Sequence, residues 1–166
     1  MQAPQNHLTS TAGNAGAPHK LRWRTWLPPL IWIAMIAGGG SSSLSASHTY
    51  VWLERLLGFL HLDRATLAWV NLAIRKTGHF CVYGFLSLLL FRSWRDTLSF
   101  KSKPAWSWRA AVLAVAGSAL VAALDEFHQR FSPGRTSSPR DVALDTFGAI
   151  FVQLVVLLVL VDRSRS

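Results

Sequence analysis

The sequence is poor in cysteine and in charged residues. Cys81 is the single cysteine among 166 residues, so no intramolecular disulfide can form and cysteine usage does not indicate the redox environment. Charged residues make up 15% of the chain and hydrophobic residues 51%, and the apolar residues form long blocks rather than an amphipathic pattern. This composition is typical of a membrane protein and not of a soluble core.

Acidic residues are also scarce, with 8 Asp and Glu against 17 Lys and Arg, which gives a formal net charge of +9. Such a charge suggests nucleic acid where the basic residues form a stripe or an aromatic-interleaved patch. Here they flank the apolar blocks, so we expect no nucleic-acid partner and assign them to orientation in a membrane. The sequence has no internal repeat, no nucleophilic Ser or Cys arrangement and no HxxxH-type metal spacing, so no metal or cofactor is predicted.

The apolar blocks divide the chain into a tail and four hydrophobic segments. Residues 1–25, which are small and polar with a basic flank, predict a disordered tail. The first segment, from Trp26 toward Ala46, is either a retained membrane helix or a cleaved signal peptide, and we favour the helix. The other segments cross a bilayer as helices, because ~20 residues rising ~1.5 Å each span a ~30 Å core. They cover residues 76–94, 108–124 and 142–161.

A fifth stretch, residues 50–62, alternates leucines and aromatic residues with Glu54, Arg55 and His61. This pattern predicts a helix that lies in the membrane interface. Residues 63–74 either continue that helix or form a second short one. The sequence therefore predicts an all-α integral membrane protein, a bundle of four transmembrane helices with an interfacial helix between the first and second.

The distribution of charge predicts the orientation of this bundle. Four crossings place the two termini and the 95–108 connection on one side, with ten basic residues against two acids. The other side carries seven basic residues against six acids. Because basic loops remain in the cytoplasm, we predict that both termini are cytoplasmic, including a short tail over residues 162–166.

The stretch from Leu124 to Asp145 contains thirteen polar or ionisable side chains between two apolar segments. Such groups at the mouth of a helix pair are costly unless they pair or function, so they are candidates for a site. On the second helix, Lys76, His79 and Tyr83 share one face. We predict an outward-facing polar pocket, whose binding residues are Arg75, Lys76, His79, Tyr83, Asp125, Glu126, Gln129, Arg135, Asp141 and Asp145.

Two further features concern the contact between helices. Gly84 and Gly148 are small enough to let the helices that carry them approach closely. Gln153, in the middle of the fourth helix, predicts an interhelical hydrogen bond rather than a transport role.

Three functions remain open for the polar pocket. Clustered Lys and Arg at a membrane surface suit an anionic partner, a membrane lipid or a lipid-linked envelope precursor, with Arg135 and Lys76 as anion contacts. The second function is an ion-pair network that only holds the structure or a protein partner in place. The third is an enzyme acting on lipid headgroups or phosphoesters by acid-base or metal chemistry, whose catalytic candidates are His79, Asp125, Glu126 and His128.

A three-part motif joins the second, third and fourth helices. It reads Arg75-Lys76-x-x-His79-x-x-x-Tyr83, then Asp125-Glu126-x-x-Gln129-x-Phe131-x-Pro133-Gly134-Arg135, then Asp141-Val142 with Gly148. This combination resembles the VanZ-like family of small bacterial membrane proteins over residues 26–161. The resemblance implies an all-helical domain in the bacterial inner membrane and, from the family's name, low-level resistance to the glycopeptide teicoplanin. One position departs from the family pattern, since many members have Asn where this chain has Asp145.

Overall fold

The computed structural model describes residues 23–39, 46–98, 106–131 and 138–163. These ranges contain helices and no strand, which confirms the all-α prediction. The predicted disordered tail, residues 1–25, lies outside these ranges except for its last three residues. Arg135 also lies outside them. The α-helices are α1 (Trp23–Gly39), α2 (Ala46–Leu57), α3 (Arg64–Thr97), α4 (Trp108–Gln129) and α5 (Pro139–Arg163).

The helix α3 is longer than predicted, because its first turns are the residues that the sequence placed in or beside the interfacial helix. That prediction for residues 63–74 was wrong. A short 3-10 turn, Gly58–Leu60, ends α2, and Asp63 then begins α3 with an extended backbone. The Asp63 carboxylate accepts a hydrogen bond from the Thr66 amide, which satisfies one of the free donors of the first turn. No proline follows before Thr97, so the helix continues for 34 residues.

The helix α3 lies at the centre of the bundle and contacts the other four α-helices. The indole of Trp26 donates to Thr97 Oγ1 at 3.0 Å, and that of Trp32 donates to the Val82 carbonyl at 3.1 Å. Later residues of α1 therefore meet earlier residues of α3, and the two helices run antiparallel. The helix α4 also runs antiparallel to α3, whereas α5 runs parallel to it.

This topology gives the bundle two chemically different ends. The start of α1, the end of α3, the start of α4 and the end of α5 form what we call the basic end. The middle of α3, the end of α4 and the start of α5 form the acidic end. The basic end holds the arginines Arg24, Arg92, Arg95, Arg109 and Arg163, and the acidic end holds the carboxylates of Asp125, Glu126, Asp141 and Asp145.

Small side chains occupy the interior of the bundle, and large apolar side chains cover its outside. Ala110, Ala114 and Ala122 of α4 are fully buried, whereas Phe147 and Leu158 of α5 are 60% and 68% exposed. Buried small residues are typical of helix contacts inside a membrane, where lipid tails surround the larger apolar side chains. A soluble monomer rarely exposes so continuous an apolar surface.

Two helices are long and apolar enough to cross a membrane, namely α4 over Trp108–Gln129 and α5 over Pro139–Leu160. Only 33% and 22% of their most apolar windows are buried inside the protein. The core helix of a soluble protein would be mostly buried, so the exposure of these two helices favours contact with lipid.

Candidate functional site

The helices α3 and α5 approach each other closely at two glycines. A Cβ atom added to Gly148 would lie 2.5 Å from the Phe80 carbonyl oxygen. One added to Gly84 would lie 2.8 Å from Val152 Cγ2 and 3.2 Å from the Gly148 carbonyl oxygen. The predicted close approach at Gly84 and Gly148 is therefore confirmed. It brings the polar residues of α3 and α5 on either side of these glycines within reach of each other.

Polar side chains of α3 pair with polar side chains of α5 along this contact. Lys76 forms an ion pair with Asp141, and His79 Nδ1 lies 3.5 Å from Asp145 Oδ2. Asp145 is only 1% exposed, and its Oδ1 atom has no hydrogen-bond partner among the described residues. Each paired residue of α5 comes about 65 positions later in the sequence than its partner on α3. The register between the two helices is therefore constant along the contact.

The third helix joins this site at Tyr83. The Tyr83 hydroxyl donates to Asp125 Oδ2 at 3.2 Å, and the Gln129 amide donates to the same oxygen at 2.7 Å. The His79 ring stacks on the Tyr83 ring, with centroids 6.3 Å apart. Tyr83 is fully buried, and its side chain lies near carboxylates of both α4 and α5.

Glu126 fixes the start of α5 to the end of α4. Its buried carboxylate accepts a hydrogen bond from the Ser138 amide at 2.8 Å. The Ser138 hydroxyl in turn accepts a hydrogen bond from the Arg140 amide at 3.2 Å, as the side chain of the residue before a helix commonly does. Asp141 lies in the first turn, where a negative charge is favourable.

The charges at the acidic end form two layers. The carboxylates of Asp125, Glu126 and Asp145 lie inside and are close enough to interact electrostatically. Two cations at this end are more accessible, since Arg140 is exposed and the Lys76 side chain is 38% exposed. A ligand can therefore reach Lys76 and Arg140 more easily than it can reach the buried carboxylates of Glu126 and Asp145.

The structure brings together eight of the ten predicted binding residues. Arg75 is half-buried beside Lys76, whereas His128 lies on the exposed side of α4. The described residues contain no group of three His, Cys, Asp or Glu side chains that could hold a metal ion. The residues that lie together are Lys76, His79, Tyr83, Asp125, Glu126, Gln129, Asp141 and Asp145.

Two contacts extend the site beyond these residues. The predicted hydrogen bond of Gln153 is confirmed, since its amide donates to the Ser87 hydroxyl at 2.8 Å and to the Ser87 carbonyl at 3.1 Å. Ser138 was missed, although a serine directly before Pro139 and an acidic first turn is a recognisable helix start.

The fold and this site define a small helical membrane protein with a polar cluster where three helices meet. The family model VanZ/LLP1 matches residues 23–160, and the chain belongs to this family. Family membership and the two apolar helices together indicate a membrane protein. No curated protein and no solved structure gives a significant match.

Proposed function

We propose that the protein crosses the bacterial inner membrane four times, with α1 and α3 crossing beside α4 and α5. On α3, Arg75 and Arg95 are about twenty residues apart, or about 30 Å, which matches the hydrocarbon core. The charged heads at the two ends reach toward the headgroups while their stems lie along the apolar surface. The contacts of Trp26 and Trp32 with α3 support a crossing of α1 at the same depth.

Tryptophans support these boundaries, because this residue is enriched where the membrane meets water. Trp23, Trp94 and Trp108 lie at the basic end, and the exposed Trp69 lies in the part of α3 beyond the acidic cluster. Trp69 and Trp94 are about 37 Å apart along α3, between the ~30 Å of the core and the ~40–45 Å that includes the headgroups.

The excess of basic residues at the basic end supports a cytoplasmic location for that end and for both termini. The acidic end then faces outward, toward the cell envelope. A ligand of this site is therefore a component of the envelope or of the outer leaflet.

The function we propose for the acidic end is to bind an anionic envelope component, a lipid headgroup or a lipid-linked precursor. The layered arrangement of charge supports it. Asp125, Glu126 and Asp141 already accept hydrogen bonds or an ion pair from the protein, whereas the basic side chains around them reach the surface. Phosphate groups bind such basic side chains, and the ion pair with Asp141 holds Lys76 in place.

In this binding mode Lys76 and Arg140 contact the phosphate, and Asp141 orients Lys76 through the ion pair. Arg75 extends the basic surface by one residue along α3. Arg135, which is outside the described ranges, remains the anion contact that the sequence predicts.

Binding of a polyprenyl diphosphate and of phosphatidylglycerol to the purified protein, measured by native mass spectrometry, tests this function. We expect Lys76→Gln combined with Arg140→Gln to weaken binding of the polyprenyl diphosphate at least about tenfold, since each cation near a phosphate contributes ~1 kcal/mol. Arg64→Gln is the matched control, because Arg64 is an exposed cation of the same helix about three turns from Lys76. Unchanged binding by the folded double variant contradicts the proposal, and Arg135→Ala tests the remaining contact.

The link to glycopeptide resistance is a further part of this proposal. Deletion of the gene is expected to increase susceptibility to teicoplanin, and only variants that retain binding are expected to restore resistance. Equal susceptibility with and without the gene would separate this protein from resistance while leaving the binding experiment unaffected.

An enzyme is the second candidate, because the pairing of His79 with Asp145 favours it. The imidazole is 30% exposed and lies against a buried carboxylate, and such a pair can transfer protons to and from a bound group. Release of phosphate from lipid phosphoesters, lost in His79→Gln and in Asp145→Asn with binding retained, is the expected result for an enzyme. A purely structural cluster predicts instead that Glu126→Gln reduces thermal stability and binding together.

A further inference from the structure

A groove opens between α3 and α5 near the basic end, far from the polar cluster. It begins beyond the Ser87–Gln153 hydrogen bond, where the two helices no longer meet at glycines. Its volume is about 300 Å³, which is in the range of small-molecule sites. Its walls include Leu88, Phe91, Val155 and Val159, and its end toward the cytoplasm is formed by Arg92 and Arg95.

The two arginines stand at the depth of the phosphates in a membrane. Trp94 lies between them in the sequence and contacts Trp26 edge-on, with ring centroids 4.9 Å apart. Tryptophan marks the boundary between headgroups and acyl chains, so the adjacent guanidinium groups reach the headgroup layer. Arg95 lies over the Phe91 ring, with 5.9 Å from Cζ to the ring centroid, and this contact holds its stem along the groove.

We infer that this groove binds one anionic phospholipid, with its phosphodiester at Arg92 and Arg95 and part of an acyl chain along the apolar walls. The inference goes beyond the site at the acidic end and rests on the proposed crossing of α3. Two features support this occupant. The two positive charges lie at one end only, and the remaining walls are apolar, as in a lipid with one charged head.

A helix of a protein partner fits the groove less well than a lipid does. Arg95 is seven residues after Leu88, so the groove follows α3 for roughly 11 Å, about two helical turns. A transmembrane helix contacts its partner over a much longer stripe and prefers small residues, whereas this groove is lined by Leu, Phe and Val.

The test is native mass spectrometry of the full chain in detergent. The protein is titrated with phosphatidylglycerol or with phosphatidylcholine, and the affinity for each lipid is measured. We expect the wild type to bind phosphatidylglycerol about tenfold more tightly than phosphatidylcholine. Arg92→Gln and Arg95→Gln are each expected to weaken phosphatidylglycerol binding about fivefold and to remove most of the preference when combined. Arg109→Gln is the control, because Arg109 lies at the same end but outside the groove.

The apolar part of the groove has its own matched pair of variants. Val159→Trp fills the groove and is expected to weaken binding of both lipids, whereas Leu158→Trp is expected to leave it unchanged because Leu158 faces outward beside the groove. Glycerol phosphate, which has no acyl chain, is expected not to compete.

Three results overturn the inference: equal affinity for the two lipids, full phosphatidylglycerol binding by the double arginine variant, or competition by glycerol phosphate. Displacement of the lipid by a co-purifying protein in the wild type assigns the groove to a protein partner and also overturns it. Lys76→Gln with Arg140→Gln is expected to weaken polyprenyl diphosphate binding equally in the wild type and in the double arginine variant, so failure of the groove and failure of the site at the acidic end are distinguishable.

Discussion

At the scale of single residues, Gly148 offers the sharpest test of how α3 and α5 meet. Its missing Cβ leaves space for the Phe80 carbonyl, a backbone atom that cannot rotate away. Gly148→Ala is therefore expected to destabilise the protein by about 1–3 kcal/mol, the usual cost of overfilling a packed contact. Thermal unfolding in detergent measures this as a lower Tm.

Gly78 provides the control for that experiment. It also lies inside a helix, but no atom lies within 4 Å of an added Cβ. Gly78→Ala is expected to raise the free energy of unfolding by about 0.5–1 kcal/mol, because alanine favours a helix over the unfolded chain. Equal destabilisation by both substitutions would contradict a specific contact at Gly148.

The hydrogen bond from Tyr83 to Asp125 is the second residue-scale prediction. Tyr83→Phe removes the hydroxyl and leaves Asp125 with Gln129 as its described partner. We expect a loss of about 1 kcal/mol, since polar groups in a membrane also find partners in the unfolded state. A double-mutant cycle with Asp125→Ala measures the coupling, and additive effects of the two substitutions would show that the bond contributes nothing.

Helical spacing predicted which residues of α3 act together, but not which residues of α4 face them. Lys76, His79 and Tyr83 lie on one face, as their spacing requires. On α4, Glu126 faces inward and His128 outward. The rotation of α4 depends on which of its faces packs small residues against α3, and this contact is absent from the local sequence pattern.

At the scale of the helix, the start of α3 depends on Asp63. The pKa of the Asp63 carboxyl is lowered below its usual value of 3.8. The hydrogen bond from the Thr66 hydroxyl has the larger effect, and that from the Thr66 amide has the smaller one. A carboxylate with a lowered pKa stabilises the folded helix above the usual pKa, and this contribution is lost as the pH falls through the lowered value. The first turn of α3 is therefore expected to fray in acid.

Thr66→Val tests this cap directly. It removes the hydroxyl and is expected to move the pKa of Asp63 toward 3.8, which a ¹³C NMR titration of the carboxyl group in micelles measures. Identical titration midpoints in the wild type and the variant would contradict the role of the hydroxyl.

The sequence predicted the cores of the helices better than their ends. The apolar blocks of α4 and α5 gave both helices correctly because each block is long and uniform. The break predicted before Lys76 does not exist, because the charged pair Arg75-Lys76 interrupts the apolar residues without ending the helix. The start of α3 had a local signal in Asp63, a residue type common directly before a helix.

At the scale of the whole molecule, the proposed orientation predicts which positions a membrane-impermeant maleimide labels in intact cells. In a Cys81→Ser background, His128→Cys at the acidic end is expected to react, and Arg163→Cys at the basic end is expected to react only after the cells are opened. Labelling of Arg163→Cys in intact cells would contradict the orientation. Cys81 itself is exposed within the proposed crossing of α3 and is expected to resist the reagent because it faces lipid.

The constant register between α3 and α5 limits how the length of the protein can change. From Lys76 to Ser87 the partners on α5 keep nearly the same offset in sequence. One residue inserted or deleted within this stretch turns every later side chain by about 100° around the helix axis. The ion pair, the glycine contact and the buried amide then no longer coincide, so insertions and deletions are compatible with this bundle only in the connections between its helices.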